Sequence, residues 1–322
     1  MRAAMLAAVA AIGLASTVDA SAETYPTKPI RIIVPGAAGG ISDIVARLLS
    51  DRLDKSLGQR ILVENRGGAG ANLGAELVAK AAGDGYTLCL CNVGNVAILP
   101  HMLKDMTYDA TTDLVAVAPI GETPELVAVN AKFPARNFQE LIAYAKQNPG
   151  RVNYGTPGPG SPPHLAGVLM EKLAGVELTH IPYKGAAPAI VDLATGQIEM
   201  AIAGLGSYYA QLKAGTIRIL VAAYPRRLKS LPDVPSAPEA GLPGFEATVW
   251  FGVLAPKGTP AEVITLLNHR INEMLDDPDA VRRLEEGGLE VMRQTPAEFA
   301  AQIKRDNAKW GEVVKSINVK ME

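Results

Sequence analysis

Two glycine-rich loops hold most of the chemistry this sequence offers. The first is Pro35-Gly36-Ala37-Ala38-Gly39-Gly40, a stretch almost without side chains. A loop of that kind, followed by a helix, points main-chain N–H groups and the positive helix end at whatever lies above it. It makes an anion seat without a charged residue. The second is Gly155-Thr156-Pro157-Gly158-Pro159-Gly160-Ser161-Pro162-Pro163-His164, which adds two hydroxyls. An anion leaving water needs replacement hydrogen bonds, and each charge-assisted one contributes ~1.5–3 kcal/mol net. A helix N-terminus adds ~0.3–1 kcal/mol. Four or five such donors with two helix ends are enough for micromolar binding, about −8 kcal/mol. Glycine suits the task because the backbone must come close and φ can be positive.

The neighbouring polar residues have competing roles. Thr156 and Ser161 are equally suited to donating a hydroxyl to an anion and to capping a helix. Asp43 falls in the first turn of the first helix, where it either meets the amine of an amino acid or caps backbone N–H groups. Its charge would repel an anion, so capping is the expectation. His164 stands three residues after Ser161, but no G-x-S-x-G elbow surrounds the pair, so a nucleophile is not expected. Lys184 sits in a Tyr183-Lys184-Gly185 turn and supplies either a positive field at a cleft edge or an ordinary exposed charge. Asp192 is expected to order its helix rather than touch ligand. His101, His180 and His269 lack metal-ligand spacing, and no metal or cofactor is expected.

The elements that place these loops follow a simple rhythm. Ile30 to Val34 reads as a buried strand stopped by Pro35, and Ile41, Ile44, Val45, Leu48, Leu49 and Leu53 recur at helical spacing. A second strand (Ile61 to Glu64), a helix (Leu73 to Lys80) and a third strand (Tyr86 to Cys91) follow. Alternation of this kind predicts a parallel sheet, with ligands beyond the carboxyl ends of its strands. Asn92-Val93-Gly94-Asn95, after the third strand, should therefore line the same cleft as Gly36 to Gly40. Leu114 to Ile120 and Leu126 to Val129 read as two strands around Gly121-Glu122-Thr123-Pro124. Val152 to Tyr154, the second glycine loop and a helix from Leu165 repeat the first plan. Leu178 to Pro182 and Ala186 to Ala194 repeat it again. Two α/β lobes holding a ligand between them are the expected fold. Cys89 and Cys91 lie two apart on a strand, too far for a relaxed bridge, and read as small buried hydrophobes.

The chain has 322 residues, 48% hydrophobic and 20% charged, which suits a globular protein of one large domain or two. Its net charge of −2 argues against a nucleic-acid partner. Arg2, the apolar run Ala3 to Ala15 and the Ala20-Ser21-Ala22 site read as a secretory signal, with a mature chain from about Glu23. No later segment is apolar enough to span a bilayer.

VENRGGAGANLGAELVAKAAGDGYTL (Val63 to Leu88), YGTPGPGSPPHLAG (Tyr154 to Gly167), HIPYKGAAPAIVDLATGQIEM (His180 to Met200) and LPDVPSAPEAGLPGFEATVWFGVLAPKGTP (Leu231 to Pro260) closely resemble the Bug family. These are the extracytoplasmic solute receptors of tripartite tricarboxylate transporters. The resemblance runs from about Tyr25 to the C-terminus. It implies a type II periplasmic-binding-protein fold: residues 23–122 with 246–322 as one lobe, 123–245 as the other, and a two-strand hinge between. It implies a periplasmic monomer that binds a di- or tricarboxylate, acidic amino acid or aromatic acid and delivers it to membrane permease subunits. Carried over onto this sequence, the family's ligand loops are Gly36 to Gly40 and Thr156 to Ser161. Asn92 to Asn95 and Tyr183 to Gly185 border the cleft. One departure stands out. The family usually has an aromatic residue just after Pro35; here Gly36 takes that place, which implies either a roomier pocket or a loop that moves inward.

Two other classes compete. A sensor would present its closed form to a signalling receptor instead of a permease. An enzyme could use Gly36-x-x-Gly39-Gly40 with Glu64 as a dinucleotide site, but G-x-G-x-x-G is absent, and Gly155 to Ser161 has no G-K-[ST].

Overall fold

The computed structural model describes residues 25–36, 38, 41–67, 72–103, 106–183 and 185–316. The expected signal segment and Ala37, Gly39, Gly40 and Lys184 lie outside the described residues.

Strand β1 (Ile30–Val34) shows how the first lobe is built. Successive side chains point to opposite faces. Ile30, Ile32 and Val34 pack with Val45 and Leu49 of helix α1 (Ile41–Leu57). Ile33 packs on the other face with Ala75 and Val78 of α2 (Asn72–Ala79). β1 lies between β2 (Ile61–Asn65) and β3 (Thr87–Asn92), parallel to both, as the alternation predicts. After β3 come a π-helical turn (Gly94–Ile98) and the short α3 (Leu99–Met102).

The next element corrects the expectation of two strands. Leu114–Asn130 is one strand, β4, of 17 residues. Gly121 to Pro124 looks like a turn but is paired throughout with Phe251 to Thr248 of β9 (Thr248–Pro256). Gly121 is needed for a long-range reason: a Cβ there would meet the Glu290 carbonyl oxygen at 2.9 Å. That carbonyl belongs to β10 (Glu290–Val291), which pairs with β4 at this point.

β4 serves both lobes. Leu114 to Pro124 pairs with β9, and Glu125 to Asn130 pairs with β7 (Met200–Gly204) and β8 (Ile217–Ala222). In the second lobe α4 (Phe138–Gln147) precedes β5 (Asn153–Thr156), and α5 (Pro162–Ala174) leads to β6 (Thr179–Pro182). β5 runs parallel to β6 and β7, repeating the first lobe's plan. α6 (Ala186–Thr195) and α7 (Leu205–Lys213) complete it. The chain returns beside its first crossing: the Glu125 amide donates to the Ala247 carbonyl, and the Ala247 amide donates to the Ala223 carbonyl, both at 2.9 Å. These two hydrogen-bonded crossings form the hinge.

α8 (Ala261–Asp276) folds back on the first lobe, where Leu267, Ile271 and Leu275 join the core of β1 and α1. α9 (Pro278–Glu286) follows it. α10 (Pro296–Lys315) opens with a capping box between Thr295 and Glu298. Its Trp310, Val313 and Val314 share a core with Val96, Ala97 and Leu165, so it packs against the π-helical turn and α5 alike.

Cys89 and Cys91, expected as free buried thiols, are joined by a disulfide. Their Cα atoms are 5.4 Å apart, inside the range that disulfides span. Fully extended residues two apart would sit about 6.6 Å from each other. The strand is pleated more tightly here than the expectation assumed.

Candidate functional site: the cleft between the lobes

β1 ends in a tight turn, in which the Gly36 amide donates to the Val34 carbonyl at 2.8 Å. α2 presses against this turn because Gly74 has no side chain; a Cβ would lie 2.9 Å from Pro35 Cα. Gly36 is half-buried, and a Cβ there would meet nothing within 4 Å. Ala38 is exposed. Beyond the loop, Ile41 and Ser42 at the first turn of α1 face a cavity of about 420 Å³. The first four N–H groups of a helix have no partner within it.

Across the cavity lies the second glycine loop, and there the expectation of a matching helix end fails. α5 begins with Pro162 and Pro163, which have no N–H to give. The next two amides are engaged: His164 with the Ser161 hydroxyl at 3.4 Å, Leu165 with the Ser161 carbonyl at 3.1 Å. The Ser161 hydroxyl donates in turn to the Gly158 carbonyl at 2.7 Å, so it caps the helix. The Gly160 amide donates to Nδ1 of His164 at 2.9 Å. The Gly158 amide lies 3.4 Å from the Thr156 hydroxyl, as long a contact as that of the His164 amide.

The loop is clamped from below. Thr156 is fully buried, with its hydroxyl 2.6 Å from Nε2 of His180. The His180 ring stacks on His164 with centroids 4.0 Å apart. Burial, with His180 alongside, lowers the His164 pKa to about 4, and burial lowers that of His180 as well. Both rings are therefore neutral at pH 7. His164 and Ser161 do not form a nucleophile pair, because the hydroxyl reaches the backbone of His164 and not its ring.

The third wall is the turn after β3. The Asn92 side-chain carbonyl accepts the Gly94 amide at 2.8 Å, and the Asn95 side-chain carbonyl accepts the Asn92 amide at 3.2 Å. With Oδ1 turned inward, the Asn92 amide nitrogen is the end directed away from the turn. A Cβ on Gly94 would lie 2.9 Å from Asn92 Oδ1 and would push that side chain aside.

The cavity brings together Asn92, Asn95, Pro157, Gly158, Gly160 and Ser161 of the expected residues. It does not include Gly36, Ala38, Thr156, His164, Tyr183 or Gly185. Tyr183 instead donates to Asp192 at 2.7 Å, and burial with that bond pushes its phenol up to about 12. Asp192 thus ties the turn to α6. Asp43 is buried and gripped by Arg47, Nε to Oδ2 and Nη2 to Oδ1 both at 3.1 Å. Glu64, which a dinucleotide site would need free, is held by Arg31 at 2.7 and 3.0 Å.

Sequence reasoning missed Ser42 and the apolar floor of Ile41, Ile98, Leu99, Val249 and Phe251. Ser42 was readable as the second residue of a helix whose first turn faces the cleft. The others are adjacent only in space.

Comparison with known proteins fits this architecture. Residues 45–319 match the model of the tripartite tricarboxylate transporter family receptor. BugT of Bordetella pertussis is 36% identical over 315 residues, covering 98% of this chain and 96% of BugT. R. palustris Rpa4515, solved with adipate, is 36% identical with a TM-score of 0.77, covering 90% of this chain and 97% of that one. MatC from Rhodopseudomonas palustris, solved with bound malate, is 33% identical with a TM-score of 0.75, covering 90% and 100%. The chain belongs to the tripartite tricarboxylate transporter receptor family.

Proposed function

We propose that this protein is a periplasmic solute receptor. It binds a small carboxylate in the cleft and delivers it to the membrane permease subunits of a tripartite tricarboxylate transporter. The observation that carries the reading is the cavity where the first turn of α1, the turn after β3 and the Thr156–Ser161 loop converge. Relatives solved with adipate and malate support a carboxylate as its occupant. Residues 1–22 serve as the export signal, and the Cys89–Cys91 disulfide suits an oxidising compartment. The lobes are residues 23–122 with 246–322, and 123–245. The receptor works as a monomer.

Binding is not followed by chemistry. Ser161 is engaged in capping, and the described cavity lining has no ionisable side chain to act as acid or base. A thermal-shift panel of mono-, di- and tricarboxylates, acidic amino acids and aromatic acids tests the proposal. A hit raises Tm by mass action. Turnover of the hit, or stabilisation by NAD in place of any acid, refutes the proposal.

A further inference from the structure

The turn after β3 is π-helical for a local reason. In an α-helix the Val96 carbonyl would accept the amide of residue 100, but Pro100 has no N–H, and its ring crowds the carbonyl four residues back. The coil is wider here, and the Leu99 amide donates to the Gly94 carbonyl, five residues back. This turn and its flanks give the ligand cavity Asn92, Gly94, Asn95, Ile98 and Leu99. Helix α10 reaches the same turn. The Asn307 side-chain amide donates to the Val96 carbonyl at 3.4 Å. His101, just past the turn in α3, directs Nε2 at both oxygens of Asn307, the main-chain one at 2.9 Å and Oδ1 at 3.2 Å. Both partners are acceptors, so Nε2 carries the proton. The ring comes this close because position 311 is glycine; a Cβ there would lie 2.8 Å from His101 Cε1. His101 and Asn307 do not line the ligand cavity; they line a separate one of about 320 Å³.

π-helical turns are rare and recur at functional sites. This one is bonded to a residue 211 positions along the chain. We infer that Asn307 is a positioning residue for solute binding: oriented by His101, it holds the π-helical turn in the shape that the cleft presents to its solute. This rests on the solute-receptor reading above and deepens it. A turn freed from Asn307 has to be ordered when the solute binds, and that ordering lowers affinity.

Titration calorimetry with the best acid of the thermal-shift panel, beside amide hydrogen exchange on the acid-free protein, tests the inference. Asn307→Leu keeps the side chain's size and loses both of its hydrogen bonds. It should weaken binding about fivefold, the loss expected for one such bond. It should also speed exchange across the π-helical turn and α3 while leaving β1 and the second lobe unchanged. His101→Phe should match it. His101→Gln keeps a donor near the Nε2 position and should bind within about twofold of wild type. Asn307→Leu combined with His101→Phe should bind no more weakly than either alone, because the two act as one unit. Leu193→Ala truncates the buried core of the second lobe and should lower Tm with affinity unchanged, which separates positioning from lost stability. Asn307→Leu binding as tightly as wild type, or exchange rising evenly along the whole chain, would overturn the inference and leave the receptor reading in place. If no acid binds the wild type, the receptor reading falls, and the exchange comparison alone decides whether Asn307 holds the turn.

Discussion

The amide of Gly160 donates to Nδ1 of His164 at 2.9 Å, across a loop whose other donors are also engaged. This bond sets what the second lobe can offer a ligand. It takes away an amide that the glycine pattern makes look available. It also fixes the His164 tautomer, with Nδ1 as acceptor and the proton on Nε2. His164 thereby acts as a scaffold for the loop, stacked on His180.

His164→Ala should therefore cost stability before it costs affinity. It removes a buried stacked ring and the acceptor for the Gly160 amide, a loss of about 2–3 kcal/mol. Urea melts should show the lower midpoint. Titration of the folded variant should still show binding within about threefold of wild type, because His164 does not line the cavity. An unchanged melt with binding abolished would make His164 a ligand contact.

The same histidine sets a pH dependence. Its folded-state pKa of about 4 lies below the ordinary 6.5. As pH falls below about 6.5, the unfolded chain takes up the proton first. Stability from this group is whole above that pH and is lost progressively as pH falls toward 4. Wild type should lose several degrees of Tm between pH 7 and 4.5. His164→Gln keeps an acceptor for Gly160 without a titrating ring and should lose less. Equal losses in the two proteins would show that His164 is not the titrating group.

Glu125 titrates in the opposite sense. It is 2% exposed at the hinge beside Tyr208, and its Oε2 has no hydrogen-bond partner among the described residues. Burial pushes its pKa from 4.5 up to about 8. The unfolded chain loses this proton first, so the folded state is penalised as pH rises through that window. Glu125→Gln should be more stable than wild type at pH 8 and nearly equal to it at pH 5, read from Tm at both. A variant less stable at both would mean that the carboxylate makes a bond worth more than its burial costs.

Two glycines near the cleft separate close packing from backbone freedom. Gly74→Val must displace Pro35 and should cost about 1–3 kcal/mol while shifting the β1–α1 turn and weakening binding. Gly158 has φ of +137°, a conformation that valine rarely adopts. Gly158→Val should reduce affinity at least about tenfold, with a smaller change in Tm than Gly74→Val. Titration paired with thermal melts checks both.

Much of this arrangement can be read from local pattern. The β1–loop–α1 unit and its repeat at β5–loop–α5 follow from apolar periodicity broken by glycine and proline. What pattern reasoning missed comes from distant partners. Gly121 to Pro124 has turn composition, yet β9 supplies its ladder partners and β10 is the reason for the glycine. The helix end at α5 looked like an anion seat because glycines precede it. Pro162 and Pro163 were visible in the sequence, but the engagement of the remaining amides depends on where Ser161 and His164 fold. Val249 and Phe251 reach the cleft only because β9 inserts between β3 and β4. The disulfide depended on a local contraction of β3 that alternation does not reveal.

The most direct test of the main-chain grip is a crystal structure of the protein with a bound acid from the thermal-shift panel. The carboxylate should lie within about 3.2 Å of the Ile41 and Ser42 amides, with its body toward Val249 and Phe251. A carboxylate held by an arginine or lysine side chain, or seated outside the space between α1 and the Thr156–Ser161 loop, would contradict the account.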